Sequence, residues 1–237
     1  SRTSKERGEW YSFQKILRQE WVESSLSDLE QEEPDDLMMH PLRLALEVQS
    51  LMNQNDWLVI DGGNTHFWSE IAVNMAGAQG KELAGILHPG SFSMLGVGVS
   101  FGLAAKLNHP KDRVVVISGD GAFLSGGLSI EAAFQENVPI TVVIDNNGGL
   151  TTISQQQERL FADERHVATD FRDIPFHTMF EGMGGHGELV EKPEDLKPAL
   201  ERALSSGKTA CVNVRTRSAI SPIVLATTSK RDKASIE

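Results

Sequence analysis

From His40 to Arg215, short apolar runs alternate with helical stretches, and this alternation limits the fold more than any other feature of the sequence. Each run is continuously apolar, which is typical of strands covered by helices on both faces. The predicted strands are Trp57–Asp61, Arg113–Ser118, Ile140–Asp145 and Thr209–Arg215. The predicted helices are Leu42–Met52, Gly96–Leu107, Ser129–Glu136, Ser154–Phe161, Phe176–Met183 and Pro193–Leu204. The pattern predicts an α/β fold, a doubly wound and mostly parallel sheet with helices on both faces.

Residues 1–40 differ in character from the rest of the chain. Large apolar residues recur at helical spacing and predict an amphipathic helix: Trp10, Phe13, Ile16, Leu17 and Trp21. The acidic stretch Ser24–Asp36 is typical of a linker. We therefore interpret residues 1–40 as a helix and an acidic linker. The helix either packs on the domain surface or is the tail end of a missing upstream region, and a start at Ser1 favours a fragment or a processed product.

Residues 41–216 are predicted to form one domain, because a single doubly wound unit accounts for every strand and helix after His40. A chain of 237 residues can bury a core of that size. Residues 217–237 show little periodicity, and we expect a mobile tail or a lid that orders over a ligand.

The composition limits the kinds of partner that the chain is expected to bind. The net charge of −11 argues against a nucleic acid or an anionic membrane. No apolar stretch is long enough to span a bilayer, and no signal peptide opens the chain. Cys211, the only cysteine, lies in an apolar run, where we expect a buried, inert thiol; a cytoplasmic location fits it. An anionic ligand would need a metal ion, backbone N–H groups or a helix N-terminus.

Two predicted strands end in unusual polar residues. One ends in Gly119-Asp120-Gly121, and the next in the run Asp145–Gly149. In an open parallel sheet ligands bind at this edge, and we expect these strand-end side chains to face solvent there. A carboxylate and a carboxamide are hard oxygen ligands that suit Mg²⁺ or Ca²⁺. Glycines around Asp120 let the backbone approach a phosphate, and the helix that follows presents its N-terminus to the anion.

With these residues the sequence resembles the enzymes that depend on thiamine diphosphate (ThDP). Their signature is Gly-Asp-Gly followed by Asn-Asn, at a spacing that the 27 positions from Asp120 to Asn147 match. The resemblance implies that Asp120, the Asn147 side chain and the Gly149 carbonyl bind Mg²⁺, with the diphosphate and a water completing an octahedron. It also implies that these three metal ligands contact the cofactor, and that Gly119, Gly121, Ala122 and Leu150 do so as well.

A second block, His88–Gly98, resembles the family segment beside the cofactor's aminopyrimidine. The resemblance implies that Leu95 is the apolar wedge that holds ThDP bent, so that its 4′-amino group can take the C2 proton. It also implies that Gly96 and Gly98 let the backbone pass close to the ring. Plain core packing is the alternative role of Leu95.

A third block, Asp61–Thr65, also resembles the family and is predicted to face the same cleft, although a simple turn competes with that interpretation. The seven histidines show no metal-ligand spacing. His66 and His88 fall in cleft blocks, where either contact with substrate or a structural role is open.

The resemblance is greatest to acetolactate synthases and 2-hydroxyacyl-CoA lyases, through Pro89–Phe92 and Leu103–Leu107. Gln156 stands where acetolactate synthases carry a tryptophan that shapes the substrate pocket. The implied reaction is therefore carbon–carbon bond formation or cleavage, either decarboxylation and carboligation of a short 2-oxoacid or cleavage of a 2-hydroxyacyl-CoA. The alternatives are a β-type subunit of a 2-oxoacid decarboxylase or oxidoreductase, and a non-catalytic ThDP-binding piece. The absence of cysteine clusters argues against the oxidoreductase.

The resemblance also implies what the chain lacks. In this family a glutamate from a separate pyrimidine-binding domain, usually on another subunit, contacts the cofactor's pyrimidine, and no block of this sequence resembles that domain. We therefore expect this chain to supply the diphosphate and metal half of a shared site. We also expect a homo-oligomer and an exposed apolar face around Phe92–Val99 that seeks a partner.

Overall fold

A parallel sheet forms the centre of the molecule. The computed structural model describes residues 7–17, 20, 23, 38–160 and 166–221. The strands are β1 (Trp57–Ile60), β2 (Gly85–Leu87), β3 (Val114–Gly119), β4 (Thr141–Asn146), β5 (His186–Val190) and β6 (Ala210–Arg215). Their order in the sheet is β2-β1-β3-β4-β6-β5, and every pairing is parallel. The predicted parallel α/β fold is confirmed.

Helices cover both faces of this sheet. They are α1 (Pro41–Leu51), α2 (Asn64–Ala78), α3 (Gly98–Asn108), α4 (Asp120–Gly126), α5 (Glu131–Gln135), α6 (Thr151–Leu160), α7 (Phe176–Gly182) and α8 (Pro193–Ser205). Along β1, Leu58 and Ile60 belong to the core cluster that contains residues of α1 and α8. Val59 between them belongs to a second cluster, which contains residues of α3 and α7. Burial of both faces is the reason that the strands are continuously apolar.

Local signals fix the ends of two helices. His40 caps α1, because its Nδ1 accepts a hydrogen bond from the backbone N of Leu42 at 3.0 Å, and Pro41 occupies the first turn. Pro193 begins α8, as predicted, and acidic residues in the first turn and Arg202 in the last complement the helix dipole.

Strand β2 and helix α2 were not predicted from the sequence, and neither were the bounds of α4. Strand β2 has only three residues, and its side chains are partly exposed. Helix α2 begins at Asn64, inside the block that also suggested a turn, and extends to Ala78. The segment Gly187–Val190, predicted only as a short connection, is most of β5. These additions give the sheet both of its edge strands.

The remaining expectations concern the termini and the cysteine. Residues 7–17 are helical, and Trp10 and Phe13 remain about half exposed, which gives no support to packing on the domain surface. Trp21, the acidic linker and residues 222–237 lie outside the described residues. Within the described part, no helix has the length and apolarity needed to cross a bilayer. Cys211 is buried, as predicted, and burial raises the pKa of its thiol, which disfavours the reactive thiolate.

Candidate functional site

The carboxyl ends of β1, β3 and β4 border a pocket of about 200 Å³. The chain runs from β1 to β2 on one side and returns to β3 on the other, so the pocket lies at the topological switch point of the sheet. Parallel α/β sheets bind their ligands there. The lining residues are Gly62, Gly63, Asn64, Thr65, Phe67, Ser93, Leu95, Gly119, Asp120, Gly121, Ala122, Asn147, Gly149, Leu150, Thr151, Thr152 and Ile153.

Asp120 begins α4 directly after β3, and three backbone N–H groups hold its carboxylate. Gly121 N donates to Oδ1 at 2.6 Å, and Gly148 N and Gly149 N donate to Oδ2 at 2.8 and 3.0 Å. Asp120 is only 2 % exposed. The expectation that this side chain faces solvent is therefore wrong, because its carboxylate fastens the end of β3 to the loop that follows β4.

The electrostatics of this edge favour a bound cation. Burial, followed by the neighbouring Asp145 carboxylate, raises the pKa of Asp120 to about 7, although the three N–H donors act in the opposite direction. Burial also raises the pKa of Asp145, whose carboxylate accepts hydrogen bonds from Thr65 Oγ1 at 2.6 Å and from Thr216 Oγ1. Two buried carboxyl groups resist ionisation together, and a divalent cation beside them would favour their charged forms.

Asn147 offers an oxygen without a partner. Its Oδ1 is buried and accepts no hydrogen bond from the residues that the structure describes. Leaving a buried acceptor unsatisfied costs about 1–3 kcal/mol, so a ligand that binds this oxygen removes a real penalty. The carbonyl of Gly149 accepts one hydrogen bond, from Thr151 N at 3.0 Å, and keeps a second lone pair. With Asp120 these groups are the carboxylate, amide and carbonyl oxygens that Mg²⁺ takes, so the residues present fit the ion.

Glycines let the loop after β4 approach the pocket. A Cβ on Gly149 would lie 2.3 Å from the carbonyl oxygen of Thr169, and a Cβ on Gly121 would lie 2.5 Å from Cδ2 of Leu150. Gly148 has a φ of +82°, which L side chains rarely adopt. A side chain would thus displace backbone at Gly149, displace the Leu150 side chain at Gly121 and strain the backbone at Gly148.

Asp61 anchors residues 92–97, which we call the Leu95 loop. Its Oδ1 accepts hydrogen bonds from Gly96 N at 2.9 Å and Val97 N at 3.2 Å, and its Oδ2 accepts one from Ser118 Oγ at 2.8 Å. The carboxylate therefore joins the ends of β1 and β3 to the loop. This anchoring places Leu95 at the pocket wall.

The Leu95 loop presents an apolar surface. Phe92 is 91 % exposed and Met94 is 60 % exposed. The expected apolar face is therefore present at its beginning, but it ends before Val99, which is buried in the core cluster with α3 and α7. Val99 lies in the first turn of α3, which packs against β3, and this packing is the reason for its burial.

Most of the residues singled out in the sequence meet in this pocket. Those that line it are Leu95, Gly119, Asp120, Gly121, Ala122, Asn147, Gly149 and Leu150. Gly96 and Gly98 lie behind the wall instead: a Cβ on Gly96 would meet Gly126 N at 2.8 Å, and one on Gly98 would meet Asp61 Oδ2 at 2.8 Å. Gln156 is half-buried on α6 and does not line the pocket, although Thr152 and Ile153 of the same helix do.

The first turn of α2 contributes more than the sequence indicated. Asn64 and Thr65 line the pocket, and Asn64 Oδ1 is a second buried oxygen without a partner among the described residues. Asn64 Nδ2 donates to the carbonyl of Ala219 at 2.8 Å, and Gln155 Nε2 donates to Ser218 Oγ at 2.8 Å. The segment after β6 thus runs along the pocket edge between α2 and α6. In the sequence, only the family resemblance of the block Asp61–Thr65 indicated that the start of α2 lines the pocket.

The histidines show no metal-ligand spacing in the sequence, but the fold brings two of them together with a glutamate. His66, Glu70 and His88 each offer a ligand atom within 4.8 Å of the others. The helical turn between His66 and Glu70 and the position of His88 after the unpredicted strand β2 bring them together.

Comparison with known proteins agrees with this geometry. Residues 61–214 match the model of the family described as "Thiamine pyrophosphate enzyme, C-terminal TPP binding domain". The chain is 35% identical over 199 residues to a probable acetolactate synthase of Mycobacterium bovis, covering 82% of this chain and 35% of that protein. It is 30% identical over 174 residues to 2-hydroxyacyl-CoA lyase 2 of Mus musculus, covering 73% of this chain and 26% of that protein. The chain thus spans about a quarter to a third of the length of these curated relatives.

Proposed function

Because the chain belongs to the thiamine pyrophosphate (ThDP) enzymes, through their C-terminal cofactor-binding domain, we propose that it supplies the diphosphate half of an enzyme that makes or breaks carbon–carbon bonds. The observation that carries this proposal is the buried, unpartnered Oδ1 of Asn147, in the same pocket as the buried carboxylate of Asp120.

Mg²⁺ is the proposed ion, held by Asp120, the Asn147 side chain and the Gly149 carbonyl. The ion neutralises the diphosphate on a chain whose own net charge is −11, and it satisfies the free oxygen of Asn147. The proposed cofactor contacts are Leu95, Gly96, Gly98, Gly119, Asp120, Gly121, Ala122, Asn147, Gly149 and Leu150. Gly96 and Gly98 are close to Gly126 and Asp61, behind the pocket wall.

When bound, ThDP supplies a carbon nucleophile for a carbonyl group and a sink for the electrons of the bond that breaks. The chain's residues bind and orient: Asp120 and Asn147 hold the ion, and Leu95 forms the apolar wall on which the cofactor's rings would bend. Phe67 and Ile153 extend that wall and exclude water, which strengthens polar interactions inside the pocket.

The proposed substrate is a short 2-oxoacid or a 2-hydroxyacyl-CoA. The names of the relatives, acetolactate synthase and 2-hydroxyacyl-CoA lyase, support both. Gln156 stands in place of a tryptophan found in acetolactate synthases, but it lies off the pocket wall, so it favours neither substrate on geometric grounds.

The catalytic glutamate is proposed to come from a pyrimidine-binding domain, in a homo-oligomer located in the cytoplasm. The 91 % exposure of Phe92 beside the pocket supports a partner that covers the Leu95 loop. We further propose that residues 1–40 connect to that upstream region and that residues 217–237 act as a lid. The contact of Asn64 with Ala219 supports the lid.

The test is turnover by the chain together with its pyrimidine-binding domain. Pyruvate consumption and aldehyde release from a 2-hydroxyacyl-CoA are measured side by side with ThDP and Mg²⁺. We expect one of the two reactions, and we expect Asn147→Ala to abolish it. Asn108→Ala, an exposed position at the end of α3, is the matched control. If neither rate exceeds the background with ThDP alone, the alternatives are that the chain is a non-catalytic ThDP-binding piece or an oxidoreductase subunit. An active Asn147→Ala variant would refute the metal assignment.

A further inference from the structure

We propose that His66, Glu70 and His88 bind a transition-metal ion such as Zn²⁺, at a site separate from the cofactor pocket. One ligand atom from each residue lies within 4.8 Å of the other two. None of the three lines the cofactor pocket. The fold creates the site, because the chain turns after α2 and strand β2 brings His88 back beside that helix.

Helix α2 supplies two of the ligands on one face. His66 and Glu70 are four residues apart, so their side chains lie above one another. His66 Nε2 is 2.9 Å from Glu70 Oε1. Ligands that bind zinc at 2.0–2.1 Å in tetrahedral geometry stand roughly 3.4 Å apart, so this pair already has nearly the separation that an ion requires.

His88 supplies the third ligand from the segment that follows β2. Its ring centroid lies 5.3 Å from that of His66. Because His88 is exposed, its ring can move the short distance toward the pair. Gly90 N donates to His88 Nδ1 at 3.2 Å, a long hydrogen bond at an exposed position, and its loss on ligation costs little.

His66 is 4 % exposed, so packing holds its ring in place, with Nε2 directed toward Glu70. Two imidazoles and one carboxylate form a set that zinc accepts, with water in the fourth position, whereas the oxygen ligands around Asp120 suit Mg²⁺.

An ion at this site would tie α2 to the segment that leads from β2 into the Leu95 loop. Neighbours of His66 in the first turn of α2 line the cofactor pocket, so the tie would brace one wall of that pocket. We therefore expect zinc to raise the melting temperature of the wild-type chain.

The experiment is a calorimetric titration of the 237-residue chain with Zn²⁺ in excess Mg²⁺, with zinc counted by elemental analysis after dialysis. We expect one ion per chain, and we expect His88→Ala and Glu70→Gln each to weaken binding at least about tenfold. Both positions are at least partly exposed, and circular dichroism checks that the variants fold. His66 is buried, so its substitution is not used.

Two controls locate the ion. His186→Ala removes a histidine that is paired with one carboxylate, Glu188 at 2.8 Å, and it should leave zinc affinity unchanged. Asp120→Asn should also leave it unchanged. Failure to bind zinc, undiminished binding by both His88→Ala and Glu70→Gln, or loss of binding in Asp120→Asn would each overturn the proposal.

Discussion

Two regions border the pocket: Asp120 with residues 147–149, which we call the Asp120 cradle, and the Leu95 loop. The carboxylate of the cradle is satisfied by contacts within this chain, whereas the apolar side chains of the loop are exposed. In the cradle a buried carboxylate receives three backbone hydrogen bonds and glycines pack against backbone. In the Leu95 loop, Phe92 and Met94 point large apolar side chains into solvent. A buried carboxylate must be compensated inside the chain, whereas an exposed phenyl ring gains nothing until another surface covers it. We infer that the chain completes the diphosphate half alone and leaves the other half to a partner.

The largest expected effect comes from the contact between the Leu95 loop and the end of α4, the helix that begins at Asp120. A Cβ on Gly126, at the end of α4, would lie 2.1 Å from the carbonyl oxygen of Gly96 in the Leu95 loop. We expect Gly126→Ala to lower the free energy of unfolding by about 3 kcal/mol, because backbone must move on one side or the other. Gly182→Ala is the control, since no atom lies within 4 Å of its added Cβ. Equal stability of the two variants in urea would show that the end of α4 and the Leu95 loop are not in tight contact.

A pH series tests the electrostatics of the cradle. The pKa of Asp120 is about 7 in the folded chain against an ordinary 3.8, so the carboxyl stays protonated in the fold while it ionises in the unfolded chain. Its stabilising contribution is full below pH 3.8 and is lost as pH rises toward 7. Without metal, we expect the unfolding free energy of wild type relative to Asp120→Asn to fall by a few kcal/mol across this range, because each tenfold drop in proton concentration changes it by at most about 1.4 kcal/mol. If this difference in unfolding free energy does not change with pH, the pKa of Asp120 is not raised by burial.

Substitution of Asp61, which anchors the Leu95 loop, is expected to have a smaller effect on the free energy of unfolding. Asp61→Asn places an amide among the N–H groups of Gly96 and Val97, and we expect a loss of about 2 kcal/mol. Hydrogen exchange at those two amides should accelerate. Asp173→Asn, which removes a mostly exposed partner of Arg215, should cost less than about 1 kcal/mol. If the Gly96 and Val97 amides stay protected in Asp61→Asn, this carboxylate does not hold the loop.

The smallest effect on stability is expected at Phe92. Phe92→Ser should change the unfolding free energy by no more than about 0.5 kcal/mol, because the ring is exposed in this chain. In the assembly with the pyrimidine-binding domain, the same change should weaken association and lower turnover. Leu107→Ser, 64 % exposed near the end of α3, should affect neither. Unchanged association of Phe92→Ser, measured by ultracentrifugation, would remove the reason for placing the partner there.

The sequence predicted those parts of the site that depend on one strand and its end. Asp120 and Asn147 follow continuous apolar runs, and parallel strands bring their carboxyl ends to one edge, so these residues were placed together correctly. The short strand β2 left no periodic signal. The bridging of Thr65 and Thr216 by Asp145 depends on the pairing of β4 with β6, which no local pattern encodes. For the same reason, the approach of His88 to α2 could not be predicted.

We propose that this chain binds ThDP chiefly through the diphosphate and a metal ion, while Leu95 adds an apolar contact to the rings that does not hold thiamine by itself. Calorimetric titrations with ThDP, inorganic diphosphate and thiamine, each with and without Mg²⁺, test it most directly. We predict Mg²⁺-dependent binding of ThDP and of inorganic diphosphate, no measurable binding of thiamine, and loss of both diphosphate ligands in Asn147→Ala. Thiamine binding as tightly as ThDP, or ThDP binding unaffected by removal of Mg²⁺ and by Asn147→Ala, would contradict the account.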